Sequence, residues 1–165
     1  MTKDTADHAG EPTPQPVRDG EPAVEREPGF PSRSGRPDED VRATAVELAL
    51  ALRDDKCQNV VVLDVRALSQ LADYIVIGSG TSDRQMHSAI QDLEEISQEI
   101  NAGSCRTNGD DRSTWMLADF GDVVVHLFEP MTRAHYDLEM MWGDAPRIEV
   151  PDRPSRLAGR RAAEG

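Results

Sequence analysis

Asp73-Tyr74-Ile75-Val76-Ile77-Gly78-Ser79-Gly80-Thr81-Ser82-Asp83-Arg84-Gln85 carries the chain from a strand, through a glycine-rich turn, into a helix. Tyr74–Gly78 is a short apolar run of the kind that forms a buried strand. Ser82 and Gln85 stand three apart, the spacing of a capping box, in which each side chain satisfies an exposed backbone N–H of the other's neighbourhood. The helix that follows is predicted over Asp83–Asn101. Met86, Ile90, Leu93, Ile96 or Ser97, and Ile100 recur on one of its faces, and Gly103 is its stop. The turn itself has two readings, a tight turn with a cap or an anion cradle at a helix start.

Upstream, Val60-Val61-Val62-Leu63 is a continuous β-branched run, predicted as a strand over Asn59–Val65 buried on both faces. Before it, Ala45, Leu48, Ala49 and Leu52 follow helical spacing, which gives a helix from about Asp40 to Arg53 with acids at its positive end. Downstream, Trp115–Asp119 and Val123–Glu129 flank Phe120-Gly121-Asp122 and read as a hairpin. Trp115, Leu117 and Asp119 share one face of the first of these strands, Met116 and Ala118 the other. In the second, His126 lies with Val124 and Phe128, and a packed, hydrogen-bonded histidine is the expected reading. Pro130 suits the first position of a last helix. Met131, Ala134, Leu138 and Met141 line one of its faces, Gly143 stops it, Tyr136 and Glu139 fall on its outer face, and Trp142 is assigned to the core. The order helix, strand, strand, helix, strand, strand, helix makes an α/β or α+β domain, a mixed β-sheet flanked by helices.

The 165 residues suffice for one domain with a modest core. Residues 1–37 hold seven of the eleven prolines and almost no apolar pattern, so they are expected to form a disordered tail. Residues 38–150 form the domain, and 151–165 a second flexible, weakly basic tail. The tails carry net charges near zero, which leaves the domain with the whole net charge of −13. Such a balance disfavours direct DNA or RNA binding, which relies on Lys and Arg neutralising phosphates, and favours a basic protein partner. Cys57 and Cys105 have no CxxC or His-rich neighbourhood, so two free thiols and no zinc site are expected. No apolar run approaches the length of a membrane span. Met1–Gly10 lacks the basic and apolar regions of a secretory signal, and its acids argue against a transit peptide. The expected location is the cytoplasm.

Three blocks are more specific. They are Asp73 to Gln85 as quoted; Trp115-Met116-Leu117-Ala118-Asp119-Phe120-Gly121-Asp122-Val123-Val124-Val125-His126-Leu127-Phe128; and Arg133 with Tyr136-Asp137-Leu138-Glu139, Trp142 and Asp144-Ala145-Pro146. In order and spacing they resemble the signature blocks of the ribosomal silencing factor family (RsfS/Iojap), and Leu63-Asp64-Val65 resembles its first strand. The resemblance covers roughly residues 40–147. It implies a nucleotidyltransferase-like fold without a cofactor. It also implies binding to the large ribosomal subunit through ribosomal protein number fourteen, a steric block to joining of the small subunit, and lower translation when nutrients are scarce.

A protein plug needs an exposed apolar anchor ringed by polar groups. Trp115 is the candidate, since the matching family tryptophan is a partner contact. On this reading its removal should weaken binding and leave thermal unfolding nearly unchanged. Leu117 and Asp119 would extend the patch, Asp119 or Asp122 would meet Lys or Arg of the partner, and Ser82, Arg84 and Tyr136 complete the candidate set. When the partner is absent, a sticky sheet face could pair with a second copy.

Two alternatives belong to other classes. An adaptor for a different protein fits the same surface logic. A nucleotidyltransferase-like enzyme would need a Gly-Ser turn followed by an Asp-x-Asp pair for Mg²⁺. Gly78-Ser79 is present, but Asp119 and Asp122 are three apart across a turn, and in Asp64-Val65-Arg66 the third position is Arg. No GxSxG elbow appears, and neither cysteine has an evident histidine partner.

Overall fold

The computed structural model describes residues 33–99, 104–109, 112 and 114–156. The elements run in the order α1 (Asp38–Asp54), β1 (Gln58–Asp64), β2 (Tyr74–Ser79), α2 (Asp83–Glu99), β3 (Arg106–Gly109), β4 (Trp115–Asp119), β5 (Val123–Phe128), α3 (Pro130–Tyr136), α4 (Leu138–Met141) and β6 (Arg147–Ile148). One mixed sheet collects all six strands in the order β3-β4-β5-β2-β1-β6. Its centre is the parallel pair β2–β5, and every other pairing is antiparallel.

The period of two along the strands divides the interior into two layers. Tyr74 and Val76 of β2, Met116 and Ala118 of β4, and Val123, Val125 and Leu127 of β5 face one side. There they meet the stripe Val41, Ala45, Leu48, Ala49 and Leu52 of α1 and Met86, Ala89, Ile90, Leu93 and Ile96 of α2. Ile75, Ile77, Trp115 and Phe128 face the other side, against Val65 and Ala72 from the β1–β2 connection and Leu138 of α4. The hairpin and its alternation therefore match the sequence reading.

Several expectations need correction. β1 is not buried throughout: Val62 and Leu63 are, while Val60 and Val61 are half-buried near the sheet margin. Its pairing slips between Gln58 and Val61, where Asn59 adopts a left-handed φ of 50°, a conformation asparagine tolerates. The edge strands β3 and β6 carry no readable pattern. All four residues of β3 are exposed and held by backbone pairing to β4, and β6 has only two residues. The expected last helix breaks in two at Asp137, whose φ of 45° and ψ of 57° are left-handed. That break turns only Leu138 inward, and leaves Met131, Ala134 and Met141 of the expected apolar face in solvent. Ile100 to Gly103, the expected end and stop of the second helix, lie outside the described residues.

The domain also reaches into both expected tails. Pro151–Arg156 folds back on α1, where Glu47 accepts from Arg153, the Ser155 hydroxyl (3.2 Å) and the Arg156 N–H (3.0 Å). These donors hold the Glu47 carboxyl below its ordinary range although burial works the other way. Arg33 and Ser34 bond to Asp73 and Asp122 ahead of α1. Residues 1–32 and 157–165 lie outside the described residues.

Candidate functional site

The strand ends decide what the candidate residues can do together. β2 and β5 run parallel and β4 antiparallel to them. The ends of β2 and β5 and the start of β4 therefore lie at one end of the sheet, with Trp115 opposite Phe128. Ser82, Arg84, Trp115 and Tyr136 belong to this end. Leu117 lies midway along β4, opposite His126, and is half-buried. Asp119 and Asp122 flank the β4–β5 turn at the far end, roughly 13 Å of strand away from Trp115. The candidate set is thus split between two ends of the sheet.

Trp115 is not the exposed anchor expected of it. It is only 8 % exposed. Its ring stacks on Phe128 at 5.0 Å and leans on Tyr136 at 4.7 Å. Its Nε1–H donates to Nδ1 of His126 at 3.1 Å, which puts the imidazole proton on Nε2. The physical reason is that Tyr136, at the end of α3, lies half-buried over the indole rather than on an outer face, and completes an aromatic layer with Phe128. His126 is the packed, bonded histidine expected. Burial pushes its pKa down to about 4, so it is neutral at physiological pH. Trp142 is half-buried against the same aromatic layer rather than fully in the core.

An arginine braces this end. The Arg133 guanidinium donates to Ser79 Oγ at 2.9 Å and to Glu139 through Nε at 3.1 Å and again through its second terminal nitrogen. It thereby ties β2, α3 and α4 across the break. Outside the brace, the two short helices hold Met131 and Met140 at 79 % exposure and Met141 at 44 %. The sequence reading put Met131 and Met141 on one apolar face of a single last helix, with Ala134 and Leu138. Asp137 is the readable signal for the break, since a short polar residue is among the few that accept a left-handed conformation.

The glycine-rich turn is fully engaged as a turn and cap. Gly80 N–H donates to Phe128 O (2.8 Å), Thr81 N–H to Gln85 Oε1 (3.0 Å), and Gln85 N–H to Ser82 Oγ (3.1 Å). Gln85 also donates to Asp55 O at 2.7 Å, which fixes the start of α2 to the end of α1. Gly80 is required by space: a Cβ there would overlap Met86 Cγ and come within 2.7 Å of its sulfur. Arg84 is exposed. At the far end, Asp119 accepts from Gly121 N–H (2.8 Å) and closes the hairpin turn. Asp122 is buried and already holds Ser34, so it cannot meet a partner's Lys or Arg as the sequence suggested. Cys57 is buried and its thiol pushed up to about 11, chiefly by burial. Among the described residues, no group of three His, Cys, Asp or Glu is placed to hold a metal ion. No described helix is long and apolar enough to cross a membrane.

The chain is similar to known proteins in sequence and in fold. Residues 38–164 match the family model described as ribosomal silencing factor during starvation. The ribosomal silencing factor RsfS of Halalkalibacterium halodurans is 39 % identical over 100 residues, covering 61 % of this chain and 86 % of that one. A mouse protein named mitochondrial assembly of ribosomal large subunit protein 1 is 35 % identical over 98 residues, covering 58 % of this chain and 43 % of its own. A crystal structure from Bacillus halodurans superimposes with a TM-score of 0.56 at 32 % identity, covering 68 % of this chain and all of that one. The family model spans the sheet, both helical layers and the aromatic end, and on that ground the chain belongs to the ribosomal silencing factor family.

Proposed function

We propose that the chain docks on the large ribosomal subunit through ribosomal protein number fourteen, and that this occupancy blocks joining of the small subunit and lowers translation under nutrient limitation. It works in the cytoplasm by filling space, with no bond chemistry of its own. The observation that carries this reading is the methionine-bearing surface of α3 and α4. Three exposed methionines, a half-buried Tyr136 and a half-buried Trp142 sit on a buried aromatic platform braced by Arg133. Exposed methionines adapt their shape to a partner at low cost, and apolar groups left in solvent together mark interaction sites. In this reading Trp115 supports the surface from below, Ser82 and Arg84 flank it, and Leu117 and Asp119 make a second contact farther along β4. The net charge of −13 suits a basic partner by speeding encounter. A relative whose name refers to assembly of a large ribosomal subunit supports the choice of subunit.

The test is co-sedimentation with purified large subunits, followed by light scattering as small subunits are added. Retention on large subunits, absence from joined ribosomes and slower joining are expected. Absence from large subunits at low salt would overturn the reading. Retention with joining at the normal rate would leave an adaptor.

A further inference from the structure

Asp73 and Asp122 end side by side because β2 and β5 pair in parallel, Tyr74 opposite Val123. Both are buried, and Asp122 O accepts from the N–H groups of Asp73 (2.8 Å) and Tyr74 (3.1 Å). Two adjacent buried carboxylates demand donors. Here these come from a short strap ahead of α1. Arg33 N–H reaches Asp73 Oδ2 at 3.3 Å, and its Nε lies 3.6 Å from Asp73 Oδ1. Arg33 also donates a terminal N–H to Ser69 O at 3.0 Å. Ser34 N–H donates to Asp122 Oδ1 at 3.0 Å, and the Ser34 hydroxyl donates to Asp122 Oδ2. The strap precedes residues 38–164, the part matched by the family model. It fixes the stretch before the domain to the end of the sheet away from the methionines.

From this geometry we propose that Ser34 is a modification site, and that a phosphoryl group there opens the strap. Arg33, Ser34 and Gly35 are exposed, and the Ser34 hydroxyl, held by Asp122 while the strap is closed, is reached by an enzyme when the strap opens transiently. Gly35 supplies a left-handed φ of 81° with open space around it, so the serine sits on a tight turn between Arg33 and Arg36. In the transfer, the Ser34 Oγ–P bond forms as the terminal phosphoanhydride of a nucleoside triphosphate breaks. The nucleoside diphosphate leaves, and the hydroxyl proton passes to solvent. The product exchanges a hydrogen-bond donor for a group of charge near −2, facing Asp122 with Asp73 beside it. Like charges at contact, one of them buried, repel strongly, so the strap lifts and the two acids become open to a cationic group.

The experiment is hydrogen exchange by mass spectrometry on the full chain, comparing Ser34 with phosphoserine installed at position 34 during synthesis. Each form is also made with Asp122→Asn. Phosphoserine should speed exchange in residues 33–36 at least about tenfold, while peptides from β2 and β5 stay protected. Asp122→Asn should blunt the effect of phosphoserine, because the facing charge is gone. Unchanged exchange at 33–36 would overturn the proposal. So would an equal effect in the Asp122→Asn background, or loss of protection across β2 and β5, which would make the strap part of the core rather than a releasable element.

Discussion

Replacing Trp115 with phenylalanine keeps a ring where the indole stacks on Phe128 and removes the N–H that donates to His126. His126 Nδ1 is then left facing apolar rings, and an unmet buried acceptor costs about 1–3 kcal/mol. The smaller ring adds a cavity cost of roughly 1 kcal/mol. Replacing Trp115 with alanine removes the platform altogether and should cost about 3–5 kcal/mol. That is a large share of the stability of a domain of this size, about 5–15 kcal/mol. The assay is urea unfolding followed by circular dichroism, reading the midpoint at constant slope. Both variants should also lose retention on large subunits, because the methionine surface rests on this layer. A Trp115→Ala protein with an unchanged midpoint would refute the buried placement of the ring. A Trp115→Phe protein within about 0.5 kcal/mol of the parent would show that the bond to His126 contributes nothing, the range of a neutral surface change.

His126 makes stability pH-dependent in a defined sense. Its pKa is pushed from 6.5 down to about 4 in the folded chain, so on acidification the unfolded chain takes the proton first. The contribution is complete above about pH 6.5 and is lost between there and pH 4, on the order of 3 kcal/mol. Chemical unfolding at pH 7 and pH 5 in parent and His126→Gln proteins checks this, and the variant should show a shallower loss. Gly80→Ala should destabilise by about 1–3 kcal/mol through overpacking against Met86, read as a lower urea midpoint. Met140→Lys together with Met141→Lys should leave the midpoint within about 0.5 kcal/mol. The same pair should weaken binding to large subunits by about 1–2 kcal/mol. Stable variants that bind as well as the parent would remove the methionines from the docking surface.

The layers were legible because alternation and helical spacing survive in the sequence. Val123, Val125 and Leu127 point to one layer and Val124 and Phe128 to the other, as a period of two requires. What sequence missed shares one cause: it is fixed by backbone or by contacts distant along the chain. β3 is polar and exposed and exists only because β4 lends it partners. Ser34 bonds to Asp122 across 88 positions, and Ser155 to Glu47 across 108, separations no local pattern encodes. The candidate site was half readable. Trp115 and Tyr136 do come together, but an apolar ring in a motif does not announce whether it faces a partner or its own neighbours. Phe128, His126 and Tyr136 decided that, by closing on the indole from β5 and the end of α3.

The single parallel pairing at the middle of the sheet has a consequence for synthesis. β1 with β2, and β3 with β4 and β5, are two local ribbons that meet along one seam, and about 40 residues separate the end of β2 from the start of β5. At about 5–20 residues per second, β2, the wholly buried inner strand of the first half, waits a few seconds for its mate to leave the ribosome. Through that interval its open border can stitch to a neighbouring nascent chain. Only pairing with β5 closes that border, since α2, made in the meantime, packs on a face of the sheet.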